Sequence, residues 1–214
     1  MRVPRHVAII PDGNRRWAKE QGYEKHAGYN HGLNPGVEVL RLAKSYGISE
    51  ITYYGFTMDN CKRPKEQVIS FTKACVEAVK MIQKENVGLL VVGNTKSPMF
   101  PEELIPYTKE RTSLGEEQIR VNFLVNYGWE WDLSGILETN QENKDIHQMI
   151  HSHDISRIDL VVRWGGHTRL SGLLPVQAVY ADFYTIDKMW PEFEKSQFEA
   201  ALKWYRHQDV TLGG

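Results

Sequence analysis

The chain has 214 residues, with 26 Lys and Arg against 27 Asp and Glu and a formal net charge of −1. Its 41% hydrophobic and 25% charged residues exclude a disordered tail, a collagen and a disulfide scaffold. The near-zero charge argues against a dedicated nucleic-acid binder.

The length predicts one domain, 1–214, large enough to bury a core without a disulfide or a metal. Two cysteines, Cys61 and Cys75, fit an intracellular protein. The longest apolar runs fall far below the roughly 18 residues that span a bilayer, and the N-terminus lacks the apolar core of a signal peptide. A cytoplasmic protein, at most in peripheral contact with a membrane, is expected.

Strand-like runs alternate with helix-length periodic segments. A buried strand is predicted over 7–10, then a short helix over 15–21 and a helix over 33–46 stopped by Gly47. A strand follows over 51–56, rich in β-branched and aromatic residues. The segment 66–84 is a long amphipathic helix, with Val68, Phe71, Cys75, Val79 and Ile82 at helical spacing. Val87–Val92 is the third strand, a helix is expected over 101–114, and the fourth strand covers 119–125. Helix and polar connection fill 131–154. A fifth strand over 158–162, a helix over 173–181, a short strand over 183–186 and a closing helix over 195–206 complete the chain. Strand-helix alternation of this kind predicts an α/β domain with a mostly parallel sheet. Ligands of such sheets bind at the carboxyl ends of strands.

Three unusual segments follow strands. Asp12-Gly13-Asn14-Arg15-Arg16-Trp17-Ala18 joins a tight glycine turn to a helix start and two arginines, an arrangement suited to phosphate. Asp12 is the acid available to hold a divalent cation against it. A plain βα turn with solvated arginines has the same spacing. Thr57 to Pro64, with Asn60 and Arg63, closes the second strand, and Pro64 opens the long helix. Arg163-Trp164-Gly165-Gly166-His167-Thr168-Arg169-Leu170-Ser171 offers two arginines, a glycine pair and a hydroxyl, a second anion loop. Two phosphate sites on one sheet edge suggest an enzyme of two phosphorylated substrates. His147, His151 and His153 have helical spacing but no cysteine partner, and a solvated surface accounts for them. Trp131, Trp190 and Trp204 are expected in the core or at a dimer contact.

The segments 6–18, 52–57 with Asn60 and Arg63-Pro64, Asn126-Tyr127-Gly128, 159–163 through Arg169-Leu170-Ser171, and 180–193 together resemble the cis-prenyltransferases, the undecaprenyl diphosphate synthase-like enzymes, in order and over nearly the whole chain. The resemblance implies a parallel sheet flanked by helices, a hydrophobic tunnel, a homodimer, and Mg²⁺-dependent joining of an allylic diphosphate to isopentenyl diphosphate with a cis double bond. By resemblance, Gly13, Asn14, Arg15 and Arg16, with Arg63 nearby, hold the allylic diphosphate, and Trp17, Lys25 and Tyr29 are further substrate-binding residues. Arg163, Arg169 and Ser171 hold the second diphosphate. Asp12 and Asp182 serve the metal, and Asn60 assists proton removal.

The chain also departs from the family pattern. His167 and Asp182 stand where glutamate is usual, and Cys61 where tryptophan is common. Lys25 and Tyr29 replace an arginine and a histidine. Trp129 replaces a glycine, and Gly172 and Pro175 lie in a segment that more often reads Asn-Phe and Leu. The helix at 66–84 is about one turn shorter than in long-chain members. A short-chain product is therefore expected. Irregular, lavandulyl-type coupling or cyclisation is the alternative, with His167 as a proton shuttle or only a hydrogen-bond donor to diphosphate. A weakly active partner subunit would lack the Asp12-to-Arg15 turn, which is intact here. The charge balance disfavours an RNA-binding module.

Overall fold

The computed structural model describes residues 2–138 and 145–209, so residues 139–144 of the expected 131–154 segment lie outside it. Seven strands form one sheet: β1 (His6–Ile10), β2 (Glu50–Thr57), β3 (Val87–Val92), β4 (Thr112–Leu114), β5 (Ile119–Tyr127), β6 (Leu160–Trp164) and β7 (Asp182–Ile186). Their order is β4-β3-β5-β2-β1-β6-β7, and every pairing is parallel except that of the edge strand β4 with β3. Parallel neighbours need long crossovers, which cover both faces of the sheet. Accordingly β1, β3 and β6 are buried along their whole length.

One face packs Val7, Ile9, Ile51 and Tyr53 against α3 (Leu33–Ser45), α4 (Lys65–Ile82) and α7 (Lys195–Tyr205), through residues such as Leu40, Val79 and Phe198. The other packs Ala8, Ile10, Tyr54 and Tyr127 against Ile155, Ile158, Leu173 and Leu174, with Trp131 of α5 (Trp129–Glu138) alongside. Short helices α1 (Asn14–Glu20), α2 (Gly28–His31) and α6 (Ile146–Met149) complete the description.

The chain leaves β1 toward β2 and leaves β6 toward β7, in opposite directions along the sheet. The crevice between the carboxyl ends of β1 and β6 is therefore a topological switch point, where open α/β sheets bind ligands. The register sets Ile10 beside Arg163 there.

Two expected helices are absent. The segment 101–114 folds as a 3₁₀ turn, Glu102–Tyr107, followed by the antiparallel strand β4. Pro106 removes a backbone donor from the turn, and β4 closes the sheet edge beside β3. The segment 173–181 is a run of turns, because Gly172 (φ +82°) and Leu174 (φ +32°) are left-handed, which a helix does not tolerate. Leu173, Leu174 and Ala178 are nonetheless buried under the sheet, whereas Val179 and Tyr180 are exposed.

Trp190 and Trp131 take the structural places expected of them. Trp190 meets Trp164 edge-on at 4.8 Å, and Trp131 stacks on His151 at 4.4 Å. Among the described residues no group of three His, Cys, Asp or Glu side chains is placed to hold a metal.

Candidate active site

The site is built where β1 and β6 end. Gly13 turns the chain with φ +103°, and a Cβ there would lie 2.7 Å from the Cβ of Met189, so only glycine fits. The turn leaves Asp12 at the strand end. Its Oδ1 accepts the Gly13 N–H at 2.6 Å, its Oδ2 accepts from Arg163 at 2.8 Å, and Arg16 stands 3.8 Å away. Burial pushes the Asp12 carboxyl up, but the Arg163 hydrogen bond and charge, the Gly13 N–H and Arg16 together outweigh it and hold the pKa below the ordinary value.

Arg163 is only 4% exposed. It donates to Asp12, to Ser171 Oγ at 2.8 Å and to the Arg169 carbonyl. One guanidinium thus joins the two anion loops that the sequence sets 151 residues apart. Arg16 reinforces the joint by donating to the Gly165 carbonyl at 2.8 Å. Ser171 sits in the left-handed region (φ +53°), and the Tyr54 hydroxyl donates to its carbonyl at 2.7 Å. The side chains of Arg169 and His167 complete the loop. The His167 pKa is lowered by its slight desolvation and by Arg169, Arg16 and Arg163, against the pull of Asp12.

On the other side, Arg63 donates to the Tyr29 hydroxyl at 3.1 Å and lies 5.7 Å over the Phe71 ring, while Tyr29 stacks on Phe71 at 4.4 Å. Arg15 donates to Gln67 Oε1 at 3.1 Å. Below them, between the sheet and α3 and α4, lies an apolar cavity of about 70 Å³, partly open to solvent. Asn14, Tyr29, Phe71, Cys75, Ile82 and Trp190 are among its lining residues. Of the apolar stripe on α4, Phe71, Cys75 and Ile82 face this space, whereas Val79 is plain core.

The remaining expected residues divide. Asn60 sits at the carboxyl end of β2 in a short 3₁₀ turn, where it and Thr57 cap each other, its N–H donating to Thr57 Oγ1 at 3.3 Å. Cys61 donates to Asn126 Oδ1 at 3.3 Å. Trp17 packs on His31 at 4.6 Å, and Lys25 is exposed in the turn between α1 and α2. Asp182 begins β7, where it pairs with Leu160, three residues before Arg163, and stands 3.8 Å from Arg2.

A magnesium ion nevertheless fits the residues present. Each Asp12 oxygen accepts one hydrogen bond and keeps lone-pair capacity, and the side chain is one-third exposed. Mg²⁺ typically binds through one or two carboxylates plus substrate phosphates, and Asp12 supplies the carboxylate.

Sequence reading missed Tyr54 as the anchor of Ser171, Gln67 as the partner of Arg15, and Trp190 as a strap. The Trp190 N–H donates to the Asp12 carbonyl at 2.9 Å, and its indole donates to the Gly32 carbonyl at 2.8 Å. Trp190 falls in a segment the resemblance had marked, whereas nothing in the sequence signals Gln67.

An α/β fold with two arginine-bearing loops joined over an apolar cavity suits an enzyme whose substrate has both an anionic and an apolar part. Comparison with known proteins agrees. A model of the undecaprenyl diphosphate synthase family matches residues 10–213. The chain is 32% identical to a ditrans,polycis-undecaprenyl-diphosphate synthase, (2E,6E)-farnesyl-diphosphate specific, of Yersinia pseudotuberculosis, over 100% of this chain and 91% of the relative. It is 32% identical to the enzyme of that name from Escherichia coli K12, over 98% and 90%. The crystal structure of lavandulyl diphosphate synthase from Lavandula x intermedia in complex with dimethylallyl diphosphate shares the fold, with a TM-score of 0.87, 22% identity and 99% coverage of each chain. The chain belongs to the undecaprenyl diphosphate synthase family. It is a prenyltransferase of the cis-prenyl diphosphate synthase type. No helix among the described residues is long and apolar enough to cross a membrane.

Proposed function

We propose that this enzyme condenses an allylic isoprenoid diphosphate with isopentenyl diphosphate, with Mg²⁺, to a short-chain cis-prenyl diphosphate, acting as a cytoplasmic homodimer. The observation that carries this is the Arg163–Asp12 hydrogen bond at 2.8 Å, which fuses two anion loops beside an apolar cavity. The allylic diphosphate lies on Gly13, Asn14, Arg15, Arg16 and Arg63, with its hydrocarbon in the cavity. The second diphosphate lies on Arg163, Arg169 and Ser171.

The arginines neutralise the charge that develops on the leaving diphosphate. Mg²⁺ on Asp12 adds Lewis-acid stabilisation of that charge when bound. Arg163 fixes the distance between the two headgroups, so the allylic carbon meets the double bond of the second substrate without a search. Tyr29, Phe71 and Trp190 keep water from the reacting carbon. Removal of the proton after bond formation falls to Asn60 with the departing diphosphate.

A second reading is irregular coupling of two allylic diphosphates. The His167 imidazole in the second loop favours it, because histidine can accept and release a proton near neutral pH. Incubation with Mg²⁺ and dimethylallyl, geranyl or farnesyl diphosphate, each with and without isopentenyl diphosphate, separates the readings by product mass. Product only with isopentenyl diphosphate supports the first reading, and a main product beyond about C30 overturns its short chain. Product from an allylic diphosphate alone supports the second, and its loss in His167→Gln would place the proton transfer.

A further inference from the structure

Tryptophan is among the most buried side chains on average, yet Trp129 is 45% exposed. A single exposed apolar side chain needs no explanation; the position of this one does. It opens α5 directly after β5, and its Cδ1 lies only 3.0 Å from where a Cβ on Gly172 would be. Gly172 follows Ser171, which Arg163 grips through Oγ and Tyr54 through the carbonyl. The Tyr54 hydroxyl is itself 3.4 Å from the same point on Gly172. On the other side, Met58 is 37% exposed and packs on Gly128, the residue before Trp129. Trp129 and Gly172 therefore meet in space. The missing side chain at 172 makes room for the indole.

We infer that Trp129, with Met58 beside it, is an apolar lip of the second diphosphate loop that contacts the hydrocarbon of the isoprenoid diphosphate held there and so helps to choose that substrate. The inference rests on the reading of the Arg163–Ser171 loop as the second substrate's site. The loop itself offers charge, hydroxyls and glycine, and these recognise only the headgroup. An exposed indole next to Ser171 gives the hydrocarbon a flat apolar surface. Gly172 (φ +82°) lets the loop lie against that surface without a side chain between them.

The test is equilibrium binding by calorimetry. The allylic site is first filled with a non-reacting thiolo analogue of dimethylallyl diphosphate. Isopentenyl diphosphate and inorganic diphosphate are then titrated into wild type, Trp129→Ala and Trp129→Phe. Trp129→Ala is expected to weaken isopentenyl diphosphate about tenfold, the scale of a lost apolar contact in a specificity pocket. Inorganic diphosphate should stay within about twofold, and Trp129→Phe should regain most of the loss. Equal weakening of both ligands would overturn the inference, since Trp129 would then only support the loop. No weakening of either would overturn it as well, and so would a wild type that binds the two equally. The underlying reading of the site is judged separately, by whether the wild type forms any prenyl product.

Discussion

The two ends of the sheet carry polar residues of opposite design. At the amino end, His6, Thr52, Glu50, Asn122, Ser156 and Arg111 satisfy one another. The Asn122 amide donates to Glu50 at 2.7 Å and to Thr52 Oγ1 at 2.9 Å, and its carbonyl accepts from Arg111 at 2.7 Å. Thr52 Oγ1 then has its proton for His6 Nε2 at 2.8 Å, and His6 Nδ1 faces the Ser156 carbonyl at 3.0 Å. That order suits an Nδ1–H proton on His6. At the carboxyl end, Arg15, Arg16, Arg63, Arg163 and Arg169 gather around one half-buried carboxylate, Asp12. One buried donor there, the Arg163 Nε–H, lacks a protein partner. A closed network stabilises the fold, whereas an open one with excess positive charge is completed by an anion. The contrast teaches which end is structure and which is function without reference to any relative.

The largest test of this contrast is Asp12→Asn. It keeps an acceptor for the Gly13 N–H and removes the charge, so product formation should fall roughly 10²- to 10³-fold, while the unfolding midpoint falls as well because the buried Arg163 loses its counter-charge. A variant that retains full activity would break the assignment of function to the carboxyl end.

Next comes Asn122→Ala at the opposite end. It strands Glu50, Thr52 and Arg111, and should cost about 2–3 kcal/mol in urea unfolding. The KM of the folded enzyme for either diphosphate should stay unchanged. A shifted KM would mean that the amino end reaches the site.

The smallest effect is a pH slope. Burial lowers the His6 pKa against the pull of Glu50, so the folded state binds its proton less readily than the unfolded one. The stability His6 contributes is full above about pH 6.5 and is lost as pH falls through its lowered value. Glu50 is also lowered, because His6, Asn122 and Ser156 outweigh its burial, but its loss comes below the ordinary carboxylate range. The urea midpoint should therefore fall between pH 7 and 5, by at most about 1.4 kcal/mol per pH unit from His6. In His6→Gln that part of the slope should vanish.

Much of the site was legible in sequence because its parts are local. Gly13, the arginine pair and the Arg163-to-Ser171 loop each follow a strand, and the fold delivers strand ends to one edge. The place of Asp182 was not legible, because it depends on the register of β7 with β6, and register is a long-range property. The helix expected over 101–114 failed for a similar reason. Its apolar residues fit a helix period, but β3 offered an open edge that β4 could fill.

The sequence by itself determined the α/β class, the order of nearly all strands along the chain and the chemistry of the two anion loops, since periodicity and turn residues act over a few positions. Only the tertiary structure decided that Arg163 bonds Asp12, that Tyr54 holds Ser171 from the central strand, and that Trp129 covers Gly172. Each of these contacts joins residues far apart in the chain, through strand order and register that no local pattern encodes.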